Sequence, residues 1–161
     1  MQNIEHNYIG ILKESLDKKI KILDDILEQN RCQEKILREP EIDFDGFNET
    51  VAAKEKCINE LEVLDKGFQT VFDRVKEALS ADKETYRQDI KELQEKIKTI
   101  TEKSMDIQSG EVRNKETFQK TITESRKNIR SVKTANKVAA NYYQSMNKLN
   151  VVDSQFLDTK K

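Results

Sequence analysis

Tryptophan is absent from the 161 residues, histidine and proline occur once each, cysteine twice and glycine four times. The lone His6 has no Cys or His at metal-ligand spacing, which excludes the common zinc arrangements. There is no Gly-rich phosphate loop, no H-E-x-x-H and no G-x-S-x-G elbow. The expectation is a protein that is not an enzyme and that needs no cofactor, metal or small-molecule substrate. Cys32 and Cys57 stand outside any C-x-x-C spacing, and no N-terminal run has the basic flank and roughly 7–15 apolar residues of a secretory signal. No stretch approaches the ~20 apolar residues of a bilayer span. A reduced, cytoplasmic protein without membrane insertion is expected.

Charge is what the chain has in excess. Charged residues make up 37% and apolar ones 35%, against roughly 25% and 45–50% in an ordinary globular domain. Thin apolar seams between long helices fit this balance better than one thick core. The 29 basic and 30 acidic side chains nearly cancel overall, but residues 1–112 hold 18 against 26 and residues 113–161 hold 11 against 4. The chain is a charge dipole, acidic first and basic last.

Hydrophobic spacing divides the sequence into segments. Ile9, Leu12, Leu16, Ile20, Leu23 and Leu27 recur every three or four residues, predicting a helix over about 4–38 that Pro40 ends. Phe44, Phe47, Val51, Ile58, Leu61, Leu64, Phe68, Val75 and Leu79 predict a second over 44–79, capped by Asp43 or Asp45 and stopped at Ser80-Ala81-Asp82. Tyr86, Ile90, Leu93, Ile97, Ile100, Ser104 and Ile107 open a heptad seam that continues through Glu111, Asn114, Phe118, Ile129 and Val132, predicting a third helix over 83–132. At about 1.5 Å per residue that helix would be roughly 75 Å long and part of it would project beyond the first two. The polar run Ser104, Glu111, Asn114 weakens its seam, and Gly110 marks an expected bend or fray. The fold class is therefore all-α: long antiparallel helical hairpins forming a three-helix coiled-coil bundle over 1–132, with a projecting C-terminal helix and tail over 133–161.

That last segment carries an apolar face of its own. Val138, Tyr142, Met146 and Leu149 lie at i, i+4, i+8 and i+11, the anchor spacing of a helix that docks in a groove, and the same face could equally fold back onto its own bundle as core. Arg113, Lys115, Lys120, Arg126, Lys127, Arg130, Lys133, Lys137 and Lys148 face only Glu116 and Glu124 across residues 113–148. Such a surface could track phosphates, but attraction to the acidic first two helices is the simpler account, and no aromatics interleave as in a single-strand groove; nucleic acid is not favoured. Heptad seams serve pairing within and between chains alike, so a homodimer stays open.

The antiparallel layout, together with Asn141-Tyr142-Tyr143-Gln144-Ser145-Met146-Asn147 and the closing DSQFLDTKK of residues 153–161, resembles FlgN-like flagellar export chaperones. The resemblance implies a cytoplasmic chaperone of type III export that binds the C-terminal helices of hook-associated (hook–filament junction) proteins, prevents their premature assembly and passes them to the export machinery. It places client binding in the C-terminal part, which fits the apolar face of that segment, so the expected client-binding residues are Val138, Tyr142, Tyr143, Met146, Leu149, Val152, Phe156 and Leu157. A sibling flagellar chaperone serving the filament cap or flagellin, or a structural coiled-coil adaptor with a basic nucleic-acid-binding face, is the alternative. Removing residues from Asn141 onward is expected to abolish client binding with melting nearly unchanged.

Overall fold

The computed structural model describes the backbone of residues 2–124 and 129–147 and the side chains of residues 4–124 and 132–146. Three helices of near-equal length, α1 (Gln2–Arg38), α2 (Phe44–Ala81) and α3 (Arg87–Glu124), precede a helix half as long, α4 (Ile129–Asn147). Local chemistry sets the ends. Pro40 lies two residues past α1, and the Asp43 carboxylate accepts from the Gly46 amide at 2.9 Å, capping the free N–H groups that open α2. Asp82 closes α2 through its backbone N–H and then turns the chain, its carboxylate accepting from the Thr85 amide at 3.3 Å and the Thr85 hydroxyl at 2.6 Å.

α1 is the central helix, packed along both α2 and α3, while α4 packs on α2. The buried positions of α1 step by three and four without a slip: Ile9, Leu12, Leu16, Lys19, Leu23, Ile26, Asn30, Gln33, Leu37. α3 keeps the same rhythm from Leu93 to Phe118. Such steps hold one seam toward a neighbour over the whole length, the packing rule of coiled coils. Ile20 and Leu27, expected on the α1 seam, lie beside it, half-buried. Lys19 and Ile26 take those seam positions.

Polar pairs record the register. Lys13 meets Asp89, Lys96 meets Asp17 and Lys103 meets Asp24, each at 2.6 Å between α1 and α3. The last two share a sequence offset of 79 and lie one heptad apart, so α1 and α3 run parallel. Lys19 to Asp65, also 2.6 Å, ties α1 to the antiparallel α2. Partly exposed pairs of this kind contribute little stability each, but misaligning the helices by a turn would break all of them together.

The all-α bundle of long antiparallel hairpins is as the sequence predicts; three details differ. The predicted third helix does not overhang as one rod to 132: α3 is described as far as Glu124, residues 125–128 lie outside the described residues, and α4 from Ile129 packs back on α2. α3 runs through Gly110 without a break: the glycine is buried against α1, and a Cβ there would stand 3.2 Å from Asn30 Nδ2, so Gly110 serves close approach. The C-terminal helix does not project; α4 lies along α2 with Ala135, Ala139 and Tyr142 buried, because the two small alanines let it seat deeply on an apolar face. Gly67, by contrast, is exposed within α2 with nothing within 4 Å of a built Cβ. Gly67→Ala should therefore stabilise by about 0.5–1 kcal/mol through helix propensity alone, raising the urea midpoint with the m-value unchanged.

Candidate functional site: the fourth helix and the polar layer beneath it

Among the described residues the buried side chains form two apolar clusters. One runs through α1, α2 and α3 from Ile9 to Ile107; the other joins Leu37, Phe47, Val51, Ile58 and Phe118 to Ala135, Ala139 and Tyr142 of α4. Phe47 and Phe118 stack with centroids 4.5 Å apart, and α4 lies across this second cluster.

Between the clusters sits a polar layer. Lys54 is 0% exposed. Its ammonium has three N–H donors, and they reach Asn30 Oδ1, Gln33 Oε1 and Glu111 Oε1, each at 2.9 Å. Asn114 Nδ2 donates to the Asn30 carbonyl oxygen at 3.0 Å and to Gln33 Oε1 at 3.3 Å. Tyr142 closes the layer from α4, its hydroxyl donating to Glu111 and its ring 4.2 Å from the Lys54 ammonium. All four described helices thus meet at one ion pair, where burial makes the charges unforgiving of a lost partner.

Burial pulls the Lys54 amine below its ordinary value, against the opposing pull of Glu111. Burial, followed by the Glu111 charge, pushes the Tyr142 and Tyr143 hydroxyls up. Tyr86, which donates to Glu5, is pushed up to about 12. Between the lowered Lys54 value and its unfolded value, the unfolded chain holds more protons than the folded one, so stability rises with pH. Above about pH 10, unfolded tyrosines ionise while these three folded ones stay protonated, and stability falls. Urea midpoints should therefore drop from pH 9.5 to pH 11, and Tyr142→Phe should flatten that drop. An equal drop in the variant would remove Tyr142 from the account.

Beside Tyr143 and Met146, at the end of α4, opens a cavity of about 420 Å³ walled by Leu23 and Ile26 of α1, Leu61 of α2 and Ile107 and Val112 of α3. Val112 is 57% exposed at its edge, and the Lys115 ammonium lies 5.1 Å from the Tyr143 ring centroid. No family model, curated protein or solved structure matches the chain.

Of the sequence-predicted binding residues, Tyr142 is buried in the polar layer, whereas Val138, Tyr143 and Met146 are half-buried at the edge of α4. The structure brings Tyr143 and Met146 together at the cavity. Leu149, Val152, Phe156 and Leu157 lie outside the described residues. Because Tyr142 anchors α4, removing residues from Asn141 onward takes out a core side chain, and melting should not stay unchanged as the sequence reading expects. The basic stretch is split: Arg113, Lys115 and Lys120 are exposed on α3, Lys133 and Lys137 on α4, and the side chains of Arg126, Lys127, Arg130 and Lys148 are outside the described set. His6 is exposed, 4.0 Å from Asp89. Cys32 and Cys57 are free and half-buried.

Lys54, Asn30 and Gln33 are not among the residues the sequence points to. Their signal was the gap between Val51 and Ile58 in α2 and the change in α1 after Ile26, both level with the polar run of α3. Among the described residues no helix is long and apolar enough to cross a membrane.

Proposed function

We propose that the chain is a non-catalytic, cytoplasmic chaperone of the FlgN-like kind, which holds the C-terminal helices of hook-associated flagellar proteins before type III export and delivers them to the export machinery. The observation that carries the reading is a helical bundle that already seats one amphipathic helix, α4, beside an open cavity whose walls are mostly apolar, with Ser104, Gln108, Glu111 and Lys115 among them. The likeness of residues 141–147 and 153–161 to that family supplies the client class. A filament-type subunit must keep its terminal amphipathic helix covered until export, and a groove between helices can do this through apolar anchors spaced along one face.

The test is a pull-down from a flagellated bacterial lysate with two full-length baits, the natural chain and a Tyr143→Asp/Met146→Asp variant. Mass spectrometry should find a hook-associated protein with the first and not with the second. A filament-cap protein or flagellin in its place would move the assignment to a sibling chaperone. Nucleic acid, or the same partners on both baits, would reject the proposed site.

A further inference from the structure

We propose that the face of α2 and α3 beneath α4 is the surface that receives a partner's helix, and that it selects a helix with small residues at i and i+4 and a hydroxyl-bearing aromatic at i+7. This rests on the reading that the protein binds client helices and names the kind of helix it takes. The template is α4 itself, which fills the face with Ala135, Ala139 and Tyr142.

Three observations converge. First, α1 packs along both α2 and α3, whereas α4 is an addition to α2, so its departure leaves the three-helix core assembled. Second, leaving uncovers two different surfaces. Phe47, Val51 and Phe118 become an apolar seat, while the Lys54 and Glu111 charges regain water. Solvation of a desolvated ion pair offsets part of the cost of opening, which a wholly apolar seat would not do. Third, the seat is not indifferent to what replaces α4. Glu111 accepts from the Tyr142 hydroxyl, so an occupant offering phenylalanine there would leave a buried carboxylate short of a donor, and a site built to bond a hydroxyl rejects the analogue that lacks it. Ala135 and Ala139 set the depth, because a larger side chain at either point would hold the occupant away from Phe47 and Phe118.

The probe is a fluorescent peptide of this chain's residues 129–147, titrated into full-length protein carrying Tyr142→Ala, which loosens the resident α4. Anisotropy should show saturable binding, weaker to the natural chain where α4 competes. A Tyr142→Phe peptide should bind about ten-fold more weakly or worse. On a chain that also carries Lys54→Met/Glu111→Leu this preference should reverse, a change that loss of packing alone would not produce. Equal binding of the two peptides, or none by a Tyr142→Ala chain whose circular dichroism is natural, overturns the proposal. Should that chain fail to fold, hydrogen exchange on the natural protein decides. Amides of α4 should exchange far faster than those of residues 51–61, and equal protection would reject a replaceable α4. None of these readouts needs a flagellar client, so success here with a failed pull-down would discard the client's identity and keep the helix-receiving face.

Discussion

Lys54→Met should cost about 3–5 kcal/mol of folding stability, a loss out of proportion to a substitution that conserves length and apolar stem. The ammonium satisfies Asn30, Gln33 and Glu111 at once, and no water reaches it. Without it the Glu111 carboxylate stays buried with only Tyr142 to bond. In a protein of this size the melting temperature should fall on the order of 10 °C. Adding Glu111→Leu should restore at least half of the loss, since replacing both ions by apolar groups removes the desolvation penalty that one unpaired ion leaves behind. Urea unfolding of the two single variants and the double one measures this as a cycle. If the double variant loses as much as the sum of the singles, the layer is not a coupled unit and the account of it fails.

The ion pair contributes alignment as much as stability. Heptad seams on three long helices are nearly periodic, and an apolar seam shifted by one heptad would still bury apolar groups. Lys54 can meet Glu111, Asn30 and Gln33 in one alignment only, and Lys19 with Asp65 repeats the constraint further down the bundle. A buried polar residue at a seam position sets register in just this way.

Helix existence and order were legible because apolar spacing, Pro40 and the Asp43 and Asp82 caps all act locally. Position on the seam was less so. On α1 the residues Ile20 and Leu27 fit a helical stripe as well as Lys19 and Ile26 do, and only the presence of neighbours on two sides decides which pair faces inward. Glu111 and Asn114 looked like a weakness in α3 when α3 was considered alone; their partners are 57 and 84 residues away. The α4 face illustrates a different limit. Val138, Tyr142 and Met146 present the same spacing whether they meet a partner or their own bundle, and the choice depends on the shape of the α2 surface, which no stretch of α4 encodes.

Phe118→Ala should cost about 3–5 kcal/mol, and its effect should be felt unevenly along the molecule. The ring is buried, stacked on Phe47 in planes only 2° apart, and shares its cluster with Ala135, Ala139 and Tyr142. Deleting it leaves a void under α4, whose seating depends on that cluster. Leu12→Ala is the matched comparison: Leu12 is 0% exposed but belongs to the other cluster, and its loss should cost about 2–5 kcal/mol by the same void-forming mechanism. Both variants lower global stability, yet only Phe118→Ala should speed exchange of the α4 amides when those exchange through local opening. If Leu12→Ala speeds α4 to the same extent, α4 opens only when the whole bundle unfolds. The polar layer would then join the two clusters into one cooperative unit, and α4 could not be exchanged for a partner's helix.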